Sequence, residues 1–588
     1  MLSRIAIIIA IVVAAYAIVL PAPFKTMDDR VSIVENPAIR SIQGIPQIFQ
    51  QGFFHDRFYY RPLVNLTFMG EYQLFGLNHF FYNLDNVLLH AANALLVFLL
   101  ASMLLGDSRL GFWTGVLFAL HPLHAEAVGN ISGRTILLCT FFILNAFYFF
   151  MLFERRRQLL FLGVSLVFFI LALLSKESAG VLPVVLALYL WGRPQGNWRQ
   201  KIAVLLPYAG IIVAYLLWRH HLGITQVAKA GDIKTYLLGF ITFLSSLLVH
   251  LRLFILPIDL YFDRGLRFFN SFSQTGVGLT IVCWLALLAA LAQWRKKISP
   301  LVIFLLAWAA IELLPVSQLV ASIVIQPGMI STADHFLYLP SVPIFMMVVL
   351  GVRWFIEENR KRAYLSPVIL KVGTCGFLLF LFLMTVEQNI YARDEMSMLK
   401  RSVSFEPRNA RMQASLGLQY VFRGDPVGAQ AHFQAAVDAE PLNAQYRISL
   451  GTSLCDQARW IECMGQYVAL DNPGSYNELL ERQKAMTIVR IEEELAKGKI
   501  YDANGWFILG VYYAKVGQMD QAIEAFAKTL AQEAQHSGAL LNMGSLYEAK
   551  QDFVAAADFY NKVLQSPQAS EFQKGFAIQH LGQVNGKR

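Results

Sequence analysis

The sequence predicts an all-α protein in two parts, a polytopic membrane helix bundle of about eleven spans over residues 1–389 and a soluble α-solenoid over residues 390–588. Three observations predict this. Hydrophobic residues make up 56% of the 588 residues and charged residues 15%, and mean hydropathy is +0.47, too apolar for one globular domain. Apolar runs of near span length recur as far as residue 386 and then stop. The remainder repeats at a fixed interval of 34 residues.

In chain order, residues 5–20 follow Arg4 and end at Pro21-Ala22-Pro23. They lack a small-x-small cleavage site and many spans follow, so they read as a retained anchor rather than a signal peptide. Apolar runs then recur near 84–105, 110–128, 135–153, 158–175, 179–192, 202–217, 236–256, 276–294, 299–317, 337–352 and 365–386. Crossing the hydrocarbon takes about 20 helical residues, fewer with help from the flanks.

Basic residues set the orientation. Arg4, Arg109, Arg155-Arg156-Arg157, Arg193 with Arg199 and Lys201, Arg295-Lys296-Lys297 and Arg360-Lys361-Arg362 fall on alternate, cytoplasmic loops if one run does not cross. The misfit is 236–256, which contains His250 and Arg252 and ends at Pro257. It is placed at the outer face. The N-terminus is then inside and the C-terminus outside. The outer loops are 21–83, a turn at 129–134, Lys176-Glu177, 218–274 and 316–336.

Charge is uneven: +11 over residues 1–389 and −2 thereafter. A basic membrane part reflects positive-inside loops, and no nucleic-acid partner is expected. Of five cysteines, Cys139, Cys283 and Cys375 lie in apolar runs, whereas Cys455 and Cys463 share an extracytoplasmic segment where they can pair or stay free.

In the tail, Gly417/Gly451, Phe433/Tyr467, Gly510/Gly544, Tyr513/Tyr547, Ala522/Ala556 and Phe526/Tyr560 all stand 34 apart, the tetratricopeptide period. Trp506-x2-Leu509-Gly510-x2-Tyr513 fits its consensus. Small residues let the two helices of a repeat approach, and the aromatics are expected to fill the groove to the next repeat. Residues 475–499 read as a long helix or a degenerate repeat. The inner face of such a solenoid suits an extended polypeptide.

Ionisable groups at a membrane are costly, so a one-sided cluster of them reads as functional. The first outer loop carries Asp28-Asp29 and Arg61 in Tyr60-Arg61-Pro62-Leu63. Next come His121-Pro122-Leu123-His124-Ala125-Glu126-Ala127-Val128, Gly133-Arg134 and Ser175-Lys176-Glu177. Arg252 and Asp334-His335-Phe336-Leu337-Tyr338-Leu339-Pro340-Ser341 complete the set. Each has a plainer reading. His121 and His124 could share a metal, but no third ligand is evident and none is expected. Glu126 could pair with Arg134. Arg61 could snorkel, and Lys176-Glu177 or the Asp pair could cap helices.

This ordered set resembles the transmembrane and tetratricopeptide-repeat O-mannosyltransferases of the GT-C glycosyltransferase superfamily. Two positions differ from the family pattern: Asp334-His335 stand where Glu-Arg is usual, and the glycine after Lys-Glu is displaced to Gly180. The tail is also shorter than in animal members, as for a bacterial relative. The resemblance implies a GT-C-like bundle that inverts a sugar, a mannose-like hexose, from a polyprenyl-phosphate donor onto Ser or Thr of exported proteins held by the repeats, without metal or other cofactor. It implies Asp28 or Asp29 as base, with Asp28 favoured because it opens the motif. Arg61, Arg134, Lys176, Arg252 and His335 are candidates for the donor phosphate. Glu126 and His124 are candidates for the sugar, with His121, Glu177, Asp334 and Tyr338 around them. The site and repeats would face the periplasm of a bacterial inner membrane, or the lumen of the endoplasmic reticulum. A lipid or glycan acceptor, or a non-catalytic scaffold, are the alternatives.

Overall fold

The computed structural model describes residues 1–54, 58–193, 197–224, 233–294, 298–317, 329–362, 364–471 and 474–587, and about 80% of these described residues are helical. Among the described residues the one sheet pairs Gly265–Arg267 antiparallel with Met329–Ser331. The chain divides into two compact units, Met1–Glu406 and Pro407–Arg588.

In the first unit, seven described helices are long and apolar enough to cross a membrane: Leu2–Val19, His79–Leu105, Ile131–Arg156, Trp198–His221, Ile233–Ile255, Thr275–Gln293 and Pro367–Arg393. Three shorter apolar segments, Leu159–Ser175, Glu177–Trp191 and Pro300–Val316, accompany them. The expected count of eleven exceeds the seven because several apolar runs form helices shorter than a full span. Ile233–Ile255, assigned above to the outer face, has the length and composition to cross. The basic run at 295–297 lies outside the described residues.

Local sequence explains where these helices begin and how closely they pack. We label His79–Leu105 α1 and Ser108–Leu120 α2. The Asn78 side chain caps α1 by accepting from the Phe80 amide, and Gly106, at φ +68°, ends it in a left-handed turn. Asp107 caps α2 through the Arg109 amide at 2.7 Å. The two helices lie against each other at Gly111, where an added Cβ would collide with Ser102 and the Phe98 carbonyl. The last apolar helix, Pro367–Arg393 (α3), docks polar groups into this bundle, with Asn389 Nδ2 donating to the Ala15 carbonyl at 2.8 Å. Glu395–Phe405 (α4) follows and belongs to the first unit.

The first loop and the helix after it share a small core. Ile33, Ile39, Ile48 and Phe53 pack with Val64, Phe68 and Tyr82. This burial fixes a loop that composition alone would leave open, and it carries the Asp pair into place.

The second unit contains four helix pairs. These are Ala410–Phe422 with Pro426–Ala439, Ala444–Cys455 with Trp460–Val468, Ala503–Lys515 with Met519–Gln532, and Ser537–Ala549 with Phe553–Gln565. Asn477–Ala496 is a single long helix between the second and third pairs, and Glu571–Asn585 follows the last. The repeated aromatics cluster with residues of the following repeat or helix and also pack within their own. Each sits on the glycine of its own: a Cβ on Gly417, Gly451, Gly510 or Gly544 would strike Phe433, Tyr467, Phe526 or Tyr560. Cys455 and Cys463 are joined in a disulfide that ties the two helices of the second pair.

Candidate active site

The Asp pair opens a π-helical turn, Arg30–Val34, yet the Asp29 carboxylate at its N-cap does not cap it. Asp29 is buried and bridges two segments: its Oδ2 accepts from the Lys25 amide at 3.0 Å and its Oδ1 from the Ser132 amide at 2.9 Å. Burial pushes the Asp29 carboxyl up to about 6, against the pull of those donors. Asp28 is half-buried, and its carbonyl accepts from the Ser32 hydroxyl. The pair is therefore asymmetric, one member fastened to the 129–132 turn and the other more accessible.

Two residues that the sequence did not single out hold this loop. Lys25 is buried, and its ammonium donates to the Gly129 carbonyl at 2.8 Å and to Asn130 Oδ1. Burial lowers it to about 8, against the fields of Asp29, Glu395 and Glu126. Glu395, the first residue of α4, takes the Thr26 amide on both carboxylate oxygens, at 2.9 and 3.1 Å, and the Thr26 hydroxyl at 2.8 Å. A lysine three residues before an acidic pair is the only local signal for the first. Nothing local signals the second, which is 369 residues away.

The remaining motif residues separate by their partners. Glu126 pairs with His335 rather than Arg134: His335 Nδ1 lies 2.7 Å from Glu126 Oε1, and the His335 amide donates to Oε2 at 3.3 Å. Asp334 is buried 3.4 Å from Arg264, and burial raises its carboxyl to about 7 despite that guanidinium. Lys176 is buried with its ammonium 5.5 Å from the Phe336 ring centre, and no carboxylate lies within ion-pair distance of it among the described residues. Burial, then Arg61, lowers it to about 8. Glu126 acts electrostatically on both Lys25 and Lys176, so the first loop and the Lys176 turn meet at this carboxylate.

Three basic candidates are already balanced. Arg61 pairs with Glu177 at 3.2 Å and lies 4.5 Å from the Tyr59 ring centre. Arg134 is fully buried between Glu71 at 2.9 Å and Asp85 at 3.2 Å, and also donates to Asn86 and the Tyr82 carbonyl. Arg252 meets Asp259 at 3.3 Å in the open. His121, His124 and Tyr338 form a buried framework. His124 bridges the Phe118 carbonyl at 2.7 Å and the Ser341 hydroxyl at 3.0 Å, and His121 reaches the Phe254 carbonyl at 3.3 Å. The Tyr338 hydroxyl meets His90 at 2.7 Å.

Residues 61–222 match the dolichyl-phosphate-mannose-protein mannosyltransferase family and residues 509–571 a tetratricopeptide repeat family. The protein O-mannosyl-transferase F38B6.6 of Caenorhabditis elegans is 24% identical over 445 residues, covering 70% of this chain and 59% of the relative. The human protein O-mannosyl-transferase TMTC2 is 48% identical over 75 residues, 13% of this chain and 9% of the relative. The chain thus spans less than two thirds of either relative's length. Among solved structures, the tetratricopeptide protein YrrB aligns with 31% of this chain and 97% of its own at 17% identity and a TM-score of 0.17.

Proposed function

We propose that this integral membrane protein, which resembles protein O-mannosyltransferases in its membrane part and carries tetratricopeptide repeats after it, transfers a hexosyl group from a polyprenyl-phosphate donor to Ser or Thr hydroxyls of exported proteins. The observation that supports this most is the juxtaposition of unequal groups. Asp28 is held at the 129–132 turn by its pinned neighbour, and Glu126 beside that turn lies in the field of an ammonium, Lys176, that has no carboxylate within ion-pair distance among the described residues.

The chemistry follows. A polyprenyl phosphate is a good leaving group, so the reaction needs positive charge where the phosphate departs and a base where the hydroxyl attacks. Lys176 supplies the charge and Asp28 the base. Asp29, Lys25 and Glu395 hold the loop in place. Attack opposite the departing phosphate inverts the anomeric carbon. The repeats present the acceptor polypeptide. Site and repeats face an oxidising compartment, consistent with the Cys455–Cys463 disulfide.

The test is transfer from polyprenyl-phosphate mannose to a Ser/Thr-rich exported polypeptide by the full chain in lipid nanodiscs. Asp28→Asn keeps the shape and removes the base, so turnover should fall about 100-fold or more. Wild-type turnover in both Asp28→Asn and Asp29→Asn would overturn the assignment.

A further inference from the structure

Beside the Asp loop lies an open cleft whose empty space, mouth included, is about 400 Å³. One part of its lining carries the motif residues Glu126 and Asp334, with Asn130 from the 129–132 turn. Another part comes from segments that contributed no motif: Tyr261 after Ile233–Ile255, Gln388 and Tyr391 on α3, and Arg401 on α4. Asn130 joins the cleft to the Asp loop, since its Oδ1 takes the Lys25 ammonium while the Lys25 amide holds Asp29.

Most polar groups here are mutually satisfied. Glu126 is bound by His335, and the Gln388 amide faces the Leu260 carbonyl and Arg401 at 3.3 Å each. Three atoms are not. The Tyr391 and Tyr261 hydroxyls have no hydrogen-bond partner among the described residues. Asp334 is only 3% exposed, and Arg264 occupies one of its oxygens while the other has none. Asp334 lines the cleft, and a ligand or water there can donate to its second oxygen. Arg401 covers Tyr391 at 4.3 Å, leaving the other ring face and the hydroxyl for a guest. Carboxylate and phenol groups around an aromatic face match a ring with hydroxyls at its edge and C–H bonds on its face.

We infer that this cleft seats the hexosyl ring of the donor, and that Asp334 and Tyr391 select which hexose epimer is accepted. The inference rests on the reaction proposed above. It adds the place where the sugar binds and a wall from α3 and α4. Asp334 accepts from one ring hydroxyl and Tyr391 bonds another, so an epimer that misplaces either hydroxyl leaves a buried polar group unmet.

Saturation-transfer NMR on the full chain in nanodiscs tests this, with the methyl α-glycosides of mannose, glucose and galactose as probes. One epimer should show saturation transfer to its ring protons, with affinity in roughly the millimolar range. Tyr391→Phe, which removes only the hydroxyl, and Asp334→Asn should each weaken it about fivefold or more. Lys176→Met should leave it intact. Equal binding of all three epimers, wild-type affinity in both cleft variants, or no saturation transfer from any glycoside would overturn the inference. If hexosides bind in the cleft but no polyprenyl-phosphate hexose is a donor, the reaction fails and the subsite stands. If transfer proceeds and the cleft variants match wild type in rate, affinity and epimer preference, the subsite fails and the reaction stands.

Discussion

Replacing Arg134 by Met should destabilise the membrane unit by about 3–5 kcal/mol, the cost of breaking a buried ion pair. The magnitude follows from its surroundings. The guanidinium is fully buried and bonds Glu71 at 2.9 and 3.2 Å, Asn86 at 2.5 Å and the Tyr82 carbonyl at 2.8 Å. Asp85 is 46% exposed and contributes little. Burial pushes Glu71 up to about 7 even beside Arg134, so without the guanidinium it takes a proton near neutral pH, which holds the loss to the lower part of that range. Arg134→Met with Glu71→Met removes the stranded carboxyl as well and should recover about half of the loss. The assay is thermal unfolding read through Cys139, buried one turn further along the same helix, with a thiol-reactive dye in a background lacking the exposed Cys283 and Cys375. If Arg134→Met melts like wild type yet abolishes sugar transfer, Arg134 serves the donor and not the frame.

Two further outcomes are expected. Gly510→Ala places a Cβ 2.5 Å from Phe526 and should cost about 1–2 kcal/mol net of the helix-propensity gain, with Phe526→Leu in the same chain restoring most of it; scanning calorimetry of the double-mutant cycle checks this. Asp334 has a folded pKa of about 7, raised by burial above its ordinary value, so its contribution to stability is fully present below about 4 and is lost as pH rises through about 7; melting temperature against pH should therefore slope less steeply across that window in Asp334→Asn.

The solenoid was legible because its determinants are local. A glycine and the aromatic sixteen residues later meet inside one helical hairpin, so the 34-residue interval carries the packing with it. Span composition was legible for the same reason, but span number was not. The apolar run 110–128 breaks into a short helix and turns, where Pro122 follows His121 and the rings of His121 and His124 bond the Phe254 and Phe118 carbonyls.

The site shows the same division more sharply. In sequence, Arg61, Arg134, Lys176 and Arg252 look alike, each a cation beside a membrane segment. Their partners come from 116, 63 and 7 residues away for the three arginines, and no local rule ranks them. Balancing the charges does. A guanidinium already shared with a buried carboxylate gives a phosphate little, because binding the new anion would strand the old one. Lys176 has no carboxylate within ion-pair distance among the described residues, although the fields of Glu177 and Glu126 reach it, so under the proposed reaction it is the cation of these four best placed to meet a departing phosphate. Under the proposed reaction the Arg61 and Arg134 pairs and the fastened Asp29 hold the shape of the site, and the chemistry falls to Lys176 and Asp28. A phosphate-bearing lipid should accordingly bind more weakly to Lys176→Met than to a variant in which Arg61 and Glu177 are replaced together.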